Sequence, residues 1–192
     1  MHFDRFHKKA IVAGLWWSSF MIGWLIASFG TIIPYLSRAT HKDETSFSFI
    51  FIARCLGNIL SSLLAPRICN TYPTQQLLRY IMLLYVLCIC LTTVWLDTLP
   101  LFFWFFVDHV FITVTSIMGF SITLKLFFGE SPEFYMQFGG FIFGIGTVIQ
   151  PLLMPIAGLS ILKIIGIFSL PPLLVYARYP LPDVRETKEN KE

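Results

Sequence analysis

The sequence predicts an all-α fold: a polytopic membrane protein of six transmembrane helices with both termini on the cytoplasmic side. Composition is the first reason. Of 192 residues, 56% are hydrophobic and 13% charged, whereas soluble domains carry about 25% charged residues; the mean hydropathy is +0.72. Second, the apolar residues fall in runs whose lengths approach the roughly 20-residue helix that a bilayer demands. Third, the 14 Lys and Arg residues are unevenly placed. With the N-terminus inside, Arg5, Lys8, Lys9, Arg67, Arg79, Lys125, Arg178, Arg185, Lys188 and Lys191 lie on the inner side. Only Arg38, Lys42 and Lys163 lie on the outer side, and this bias orients membrane proteins. The net charge of +3 is too small and too scattered to suggest a nucleic-acid partner.

Residues 1–9 read as a short polar cytoplasmic tail, and residues 10–177 as the transmembrane domain. The first span runs from about Ala10 to Leu36 and is expected to break near its end at Gly30 and Pro34. It is too long for a signal-peptide core and lacks a small-residue cleavage site, so it is expected to be retained. Span two, Ser46 to Leu64, follows the polar loop SRATHKDET and is stopped by a loop containing Pro66 and Pro73. Span three covers Leu77 to Leu96. A turn at Asp97 to Pro100 leads into span four, Leu101 to Phe127. The loop GESPE precedes span five, Phe134 to Ile156, and Gly158 to Ser160 turn directly into span six, Ile161 to Ala177. Residues 178–192, prolines and then alternating charge, are expected to be a disordered cytoplasmic tail. Trp16, Trp17, Trp95 and Trp104 are placed to form interfacial belts. Cys55, Cys69, Cys88 and Cys90 lie in or beside apolar spans without metal-ligand spacing and read as small hydrophobes.

Two constellations could carry function. Arg54 lies inside span two, about eight residues from its outer end, and Asp108 and His109 lie at about the same depth in span four. Opposite charges at one depth in lipid are expected to pair, because an isolated buried ion is far costlier. Such a pair either locks helix packing or handles a substrate or coupling ion; the remaining alternative is that the charges snorkel or take separate partners. The second is span five, MQFGGFIFGIGTVIQPLLMP. Gly140 and Gly144 form G-x-x-x-G, a helix-packing pattern, while Gln137 and Gln150 are amides that need partners in an apolar helix. Arg54, Asp108 and Gln137 are therefore the candidate substrate-binding residues, and Gly140 and Gly144 the candidate packing residues. No Walker A, H-E-x-x-H, G-x-S-x-G or dinucleotide fingerprint occurs, so no enzyme, metal or cofactor is expected.

The segment SFIFIARCLG, from Ser48 to Gly57, resembles the second helix of the sodium-dependent glucose transporter-like group of the major facilitator superfamily. Met136-Gln137, Phe141, Phe143, Gly146 and Pro151-Leu-Leu resemble that group's fifth helix, Gly129-Glu130 its Gly-acidic step, and Gly30 the end of its first helix. The chain departs from the pattern at Asn70 and Tyr35, where acids are usual, at Gly140, where a His is usual, and over Ile117 to Ser121. The resemblance implies a half-transporter in the plasma membrane or an organelle membrane. It would move a small polar solute, a sugar by analogy, as a dimer or with a second half-transporter chain, since the substrate of such carriers lies between two halves. The alternative is a non-transporting subunit that braces a larger membrane complex.

Overall fold

The computed structural model describes residues 5–94, 97–127 and 132–183. Among them are seven α-helices and no strand: α1 (Arg5–Thr40), α2 (Phe49–Thr71), α3 (Thr74–Val94), α4 (Thr98–Leu126), α5 (Pro132–Ala157), α6 (Ile161–Phe168) and α7 (Leu170–Arg178). The segments Phe6–Thr40, Glu44–Thr71, Leu99–Leu124 and Pro132–Ser160 are each long and apolar enough to cross a membrane, and α3 is apolar over Thr74–Ile89. These helices define a multi-pass integral membrane protein, since a helix satisfies its own backbone in lipid. The end of span three at Leu96, Trp95, Gly129, Glu130 and the tail from Val184 onward lie outside the described residues.

Helix boundaries differ from the sequence reading at Pro34 and Pro66, whereas Pro73 does fall in the break between α2 and α3. Arg5 to Lys9 are already helical, α1 continues through Gly30 and Pro34, and α2 continues through Pro66. Proline deletes one backbone hydrogen bond. In apolar surroundings, ending the helix there would strand many more polar groups, so the single loss is the smaller cost. Nearby hydroxyls also bond back to the ladder: Ser28 donates to Leu25 O at 2.7 Å and Thr31 to Ala27 O at 3.2 Å. Two consecutive prolines do stop a helix. Pro171 and Pro172 lack the N–H groups that would reach the carbonyls of Ile167 and Phe168, and the segment expected as a sixth span divides into α6 and α7 at Ser169. The stranded Phe168 carbonyl accepts from Trp17 Nε1 at 2.7 Å.

The loops follow ordinary cap chemistry. His41, just beyond α1, adopts φ 55°, the left-handed conformation that ends many helices. Gly158 does the same after α5 with φ 53°, and the expected turn at Gly158–Ser160 is a 3-10 turn. The last carbonyls of α7 are capped from α3. Arg79 donates to Tyr176 O at 3.0 Å and Ala177 O at 2.7 Å, and Gln75 donates to Tyr176 O and Tyr179 O. The Tyr179 ring meets Phe6 and His7 at 6.3 and 5.3 Å between centroids. The start of α1, the start of α3 and the end of α7 thus gather at one end of the bundle.

Two tight helix pairs organise the interior. In the first, α1 lies against α5 with Gly23 and Gly146 at the crossing: a Cβ on Gly23 would drive into the Phe143 carbonyl, and one on Gly146 into the Phe20 carbonyl. Trp16 Nε1 donates to Tyr135 O at 3.1 Å, Trp24 Nε1 donates to Gln150 Oε1, and Gln150 Nε2 donates to Thr31 Oγ1 at 3.2 Å. In the second, α2 lies against α4. Its buried face reads Ile50, Ala53, Gly57, Ser61, Ala65 and Cys69, small residues at every fourth position from Ala53, which lets two backbones approach. A Cβ on Gly57 would meet Phe106 O at 2.7 Å and His109 Cβ at 3.0 Å.

Candidate functional site

The α2–α4 approach creates a polar knot inside the bundle. Gly57 sits one helical turn after Arg54, and the closeness it permits brings the Arg54 guanidinium to α4. Arg54 Nε donates to His109 Nε2 at 2.9 Å, so that nitrogen carries no proton of its own. The same guanidinium lies 4.4 Å from the Phe29 ring centroid, a cation–π contact contributed by α1. Further along α2, Ser61 Oγ donates to Thr113 Oγ1 at 3.0 Å. Asp108 is fully buried, and neither carboxyl oxygen has a hydrogen-bond partner among the described residues. Its Oδ2 lies 3.9 Å from His109 Nδ1, beyond hydrogen-bond length.

This corrects the expected Arg54–Asp108 pair: Arg54 bonds His109, and His109 stands beside Asp108. Matching depth brought the right helices together. Adjacent residues on α4 are about 100° apart around the axis, so depth alone did not select which of Asp108 and His109 meets α2.

The other sequence candidates are placed apart from the knot. Gln137 is exposed on α5. Gly140 is exposed as well, and a Cβ at Gly140 or at Gly144 would meet nothing within 4 Å among the described residues. The close packing of α5 therefore falls on Gly146, not on the G-x-x-x-G pair, because the helix turns its Gly139–Gly146–Gln150–Met154 face toward α1. Gln150 is buried and takes partners from α1, so its amide is satisfied inside the bundle. Trp16 and Trp24 bond across helices and Trp104 is buried, whereas Trp17 is exposed and bonds the Phe168 carbonyl from the surface.

Between the two tight pairs lies a cavity of about 350 Å³, walled by α1, α4 and α5. Leu15, Ile22 and Ile26 line it from α1, Ile112, Thr115, Ser116, Gly119 and Thr123 from α4, and Tyr135, Gly139, Gly140 and Phe143 from α5. Ser19 Oγ donates to Leu15 O at 3.1 Å and Thr123 Oγ1 to Gly119 O at 2.8 Å. Thr115 differs: its hydroxyl is buried and has no partner among the described residues. None of Arg54, Asp108 and Gln137 lines this space. Sequence reasoning missed Thr115 because one hydroxyl in an apolar helix carries no spacing signal.

No protein-family model, curated protein or solved structure matches this chain. These comparisons lend no support to the facilitator resemblance.

Proposed function

We propose that the chain is a six-crossing half of a membrane solute carrier, both ends cytoplasmic, with the α1/α4/α5 cavity as its share of the solute path. The cavity carries this reading. It is of a size that small-molecule sites use, and residues of three non-consecutive helices wall it. The gathering of the α1 start, α3 start and α7 end at one face supports an even number of crossings. A single half supplies one wall, so a second copy or a partner chain supplies the other. Uptake into proteoliposomes tests this: a panel of labelled small solutes is offered to the wild type and to Gly119→Leu, whose added side chain would fill the cavity. Uptake by the wild type that Gly119→Leu abolishes supports the carrier; no uptake of any solute contradicts it.

The brace reading keeps one observation in its favour. Arg54 is bonded to His109 instead of facing the cavity, as expected of a charge that locks two helices together. Under that reading the chain co-purifies in fixed stoichiometry with a larger assembly, and Gly119→Leu changes nothing.

A further inference from the structure

Asp108 is the least satisfied group of the polar knot. It is fully buried on α4, and neither carboxyl oxygen has a hydrogen-bond partner among the described residues. Phe111, one turn on, shares its side of α4. Tyr85 of α3 stacks there on Phe111 with 4.5 Å between centroids, close enough for its buried hydroxyl to feel the Asp108 charge. His109 stands between Asp108 and Arg54. Because Arg54 Nε donates to His109 Nε2, the neutral imidazole carries its proton on Nδ1. That Nδ1 has no hydrogen-bond partner among the described residues and lies 3.9 Å from Asp108 Oδ2. A closing of about 1 Å would complete a hydrogen bond between them. The charged and titratable groups around the carboxyl are Arg54 from α2, Tyr85 and Cys88 from the buried side of α3, and His109 on α4 itself. From α1 the knot meets the Phe29 ring, and α5 has no titratable residue after Tyr135.

We infer that Asp108 is a proton-binding site, switching between a neutral acid and an anion held by His109. A buried carboxylate with no hydrogen bond is costly, so the arrangement seen here suits the neutral acid, with Arg54 resting on His109 and Phe29. On release the Oδ–H bond breaks, its electron pair stays on the oxygen, and the proton leaves to water. His109 then donates Nδ1–H to the new anion without giving that proton up, and Arg54 balances the charge across the imidazole. The knot passes from one net positive charge to none.

Nothing larger than a proton suits the site. A metal cation requires several converging oxygen ligands, and among the described residues no group of three or more His, Cys, Asp or Glu could hold one. A proton needs a single oxygen and no cavity, so the close burial of Asp108 does not prevent its being held. Exchange with water takes place when the contacts around α4 loosen, as the alternating access of a carrier demands. The purpose of the site rests on the carrier reading, in which it couples solute movement to protons; the binding itself does not require transport.

Infrared difference spectroscopy of the full chain in phospholipid vesicles, recorded from acid to alkaline pH, tests this. One carbonyl band of a protonated carboxyl is expected to grow as pH falls and to be missing in Asp108→Asn, a stand-in of the same shape for the neutral acid. The double variant Arg54→Met, His109→Leu removes the balancing charge and the donor while keeping apolar bulk. Its band is expected to titrate about 1–3 pH units higher, the effect of losing one neighbouring opposite charge. A carboxyl that merely fills space would show neither change. Should Asp108→Asn fold poorly, the shift in the double variant carries the test by itself. In the same vesicles, solute uptake is expected to rise under an inward proton gradient in the wild type and not in Asp108→Asn.

A band present at every pH, no band lost in Asp108→Asn, or an unshifted titration in the double variant would each overturn the inference. Solute uptake without a titrating band removes the proton site and leaves the carrier standing. A titrating band without uptake of any solute removes the carrier and leaves the site.

Discussion

The α1–α5 seam and the α2–α4 seam both rest on glycine, yet they place their polar groups differently. In α1–α5, Gly23 and Gly146 bring backbone against backbone, and the buried amide of Gln150 is satisfied by Trp24 and Thr31. In α2–α4, Gly57 opens room for a charged group, and the result is Arg54 on His109 with Asp108 left unbonded beside them among the described residues. A finished seam gains nothing further from a ligand. An unfinished one keeps polar atoms whose burial costs free energy: Asp108 and His109 Nδ1 at the knot are such atoms, and so are the buried Thr115 and Tyr85 hydroxyls and Trp104 Nε1 elsewhere among the described residues. Close packing and candidate function are thus divided between neighbouring parts of one bundle.

The largest expected effect comes from the tightest contact. Gly146→Ala and Gly23→Ala each force a Cβ into a facing carbonyl, so each should destabilise by about 3 kcal/mol, read as a lowered thermal midpoint in mild detergent. Gly57→Ala should cost less, about 1–2 kcal/mol, because part of its clash is with the His109 side chain. A Gly57→Ala loss equal to the Gly146→Ala loss would show that the α2–α4 seam is as rigid as its counterpart.

The knot is tested next. His109→Leu removes the acceptor of Arg54 and should cost about 1–3 kcal/mol. The double variant Arg54→Met, His109→Leu should recover most of that loss, because a buried polar pair exchanged for apolar side chains of similar volume is often neutral. Recovered stability with solute uptake intact would mark the knot as a packing lock; recovered stability with uptake lost would tie it to transport. The smallest effect is expected at Gly140→Ala and Gly144→Ala, within about 0.5 kcal/mol for the isolated chain. A larger loss in native membranes than in detergent would reveal a partner seated on that face of α5.

Much of the helical framework was legible in the sequence, because apolar length and turn chemistry are local. The Gly158 turn and the membrane character follow from them directly. The α2 stripe of Ala53, Gly57, Ser61, Ala65 and Cys69 also stands in the sequence at every fourth position, but the more familiar G-x-x-x-G of α5 is the louder pattern. Gly23 gives no such signal, since its importance comes from the α5 carbonyl that happens to face it. Helix register around the axis is set by tertiary packing, so the sequence placed Arg54 at the right depth and still missed that His109, not Asp108, receives it. A cavity assembled from three non-consecutive helices has no sequence pattern at all.

Thiol accessibility tests the division between sealed seams and open gap most directly. In a background with the native cysteines replaced, Ser116→Cys on the cavity rim and Ala53→Cys in the α2–α4 seam are treated with N-ethylmaleimide in native membranes. A solute cavity between the helix pairs predicts rapid modification of Ser116→Cys, slowed by adding Gly140→Leu, and no modification of Ala53→Cys. Equal inertness of the two positions would contradict it and leave a solid bundle with no path for a solute.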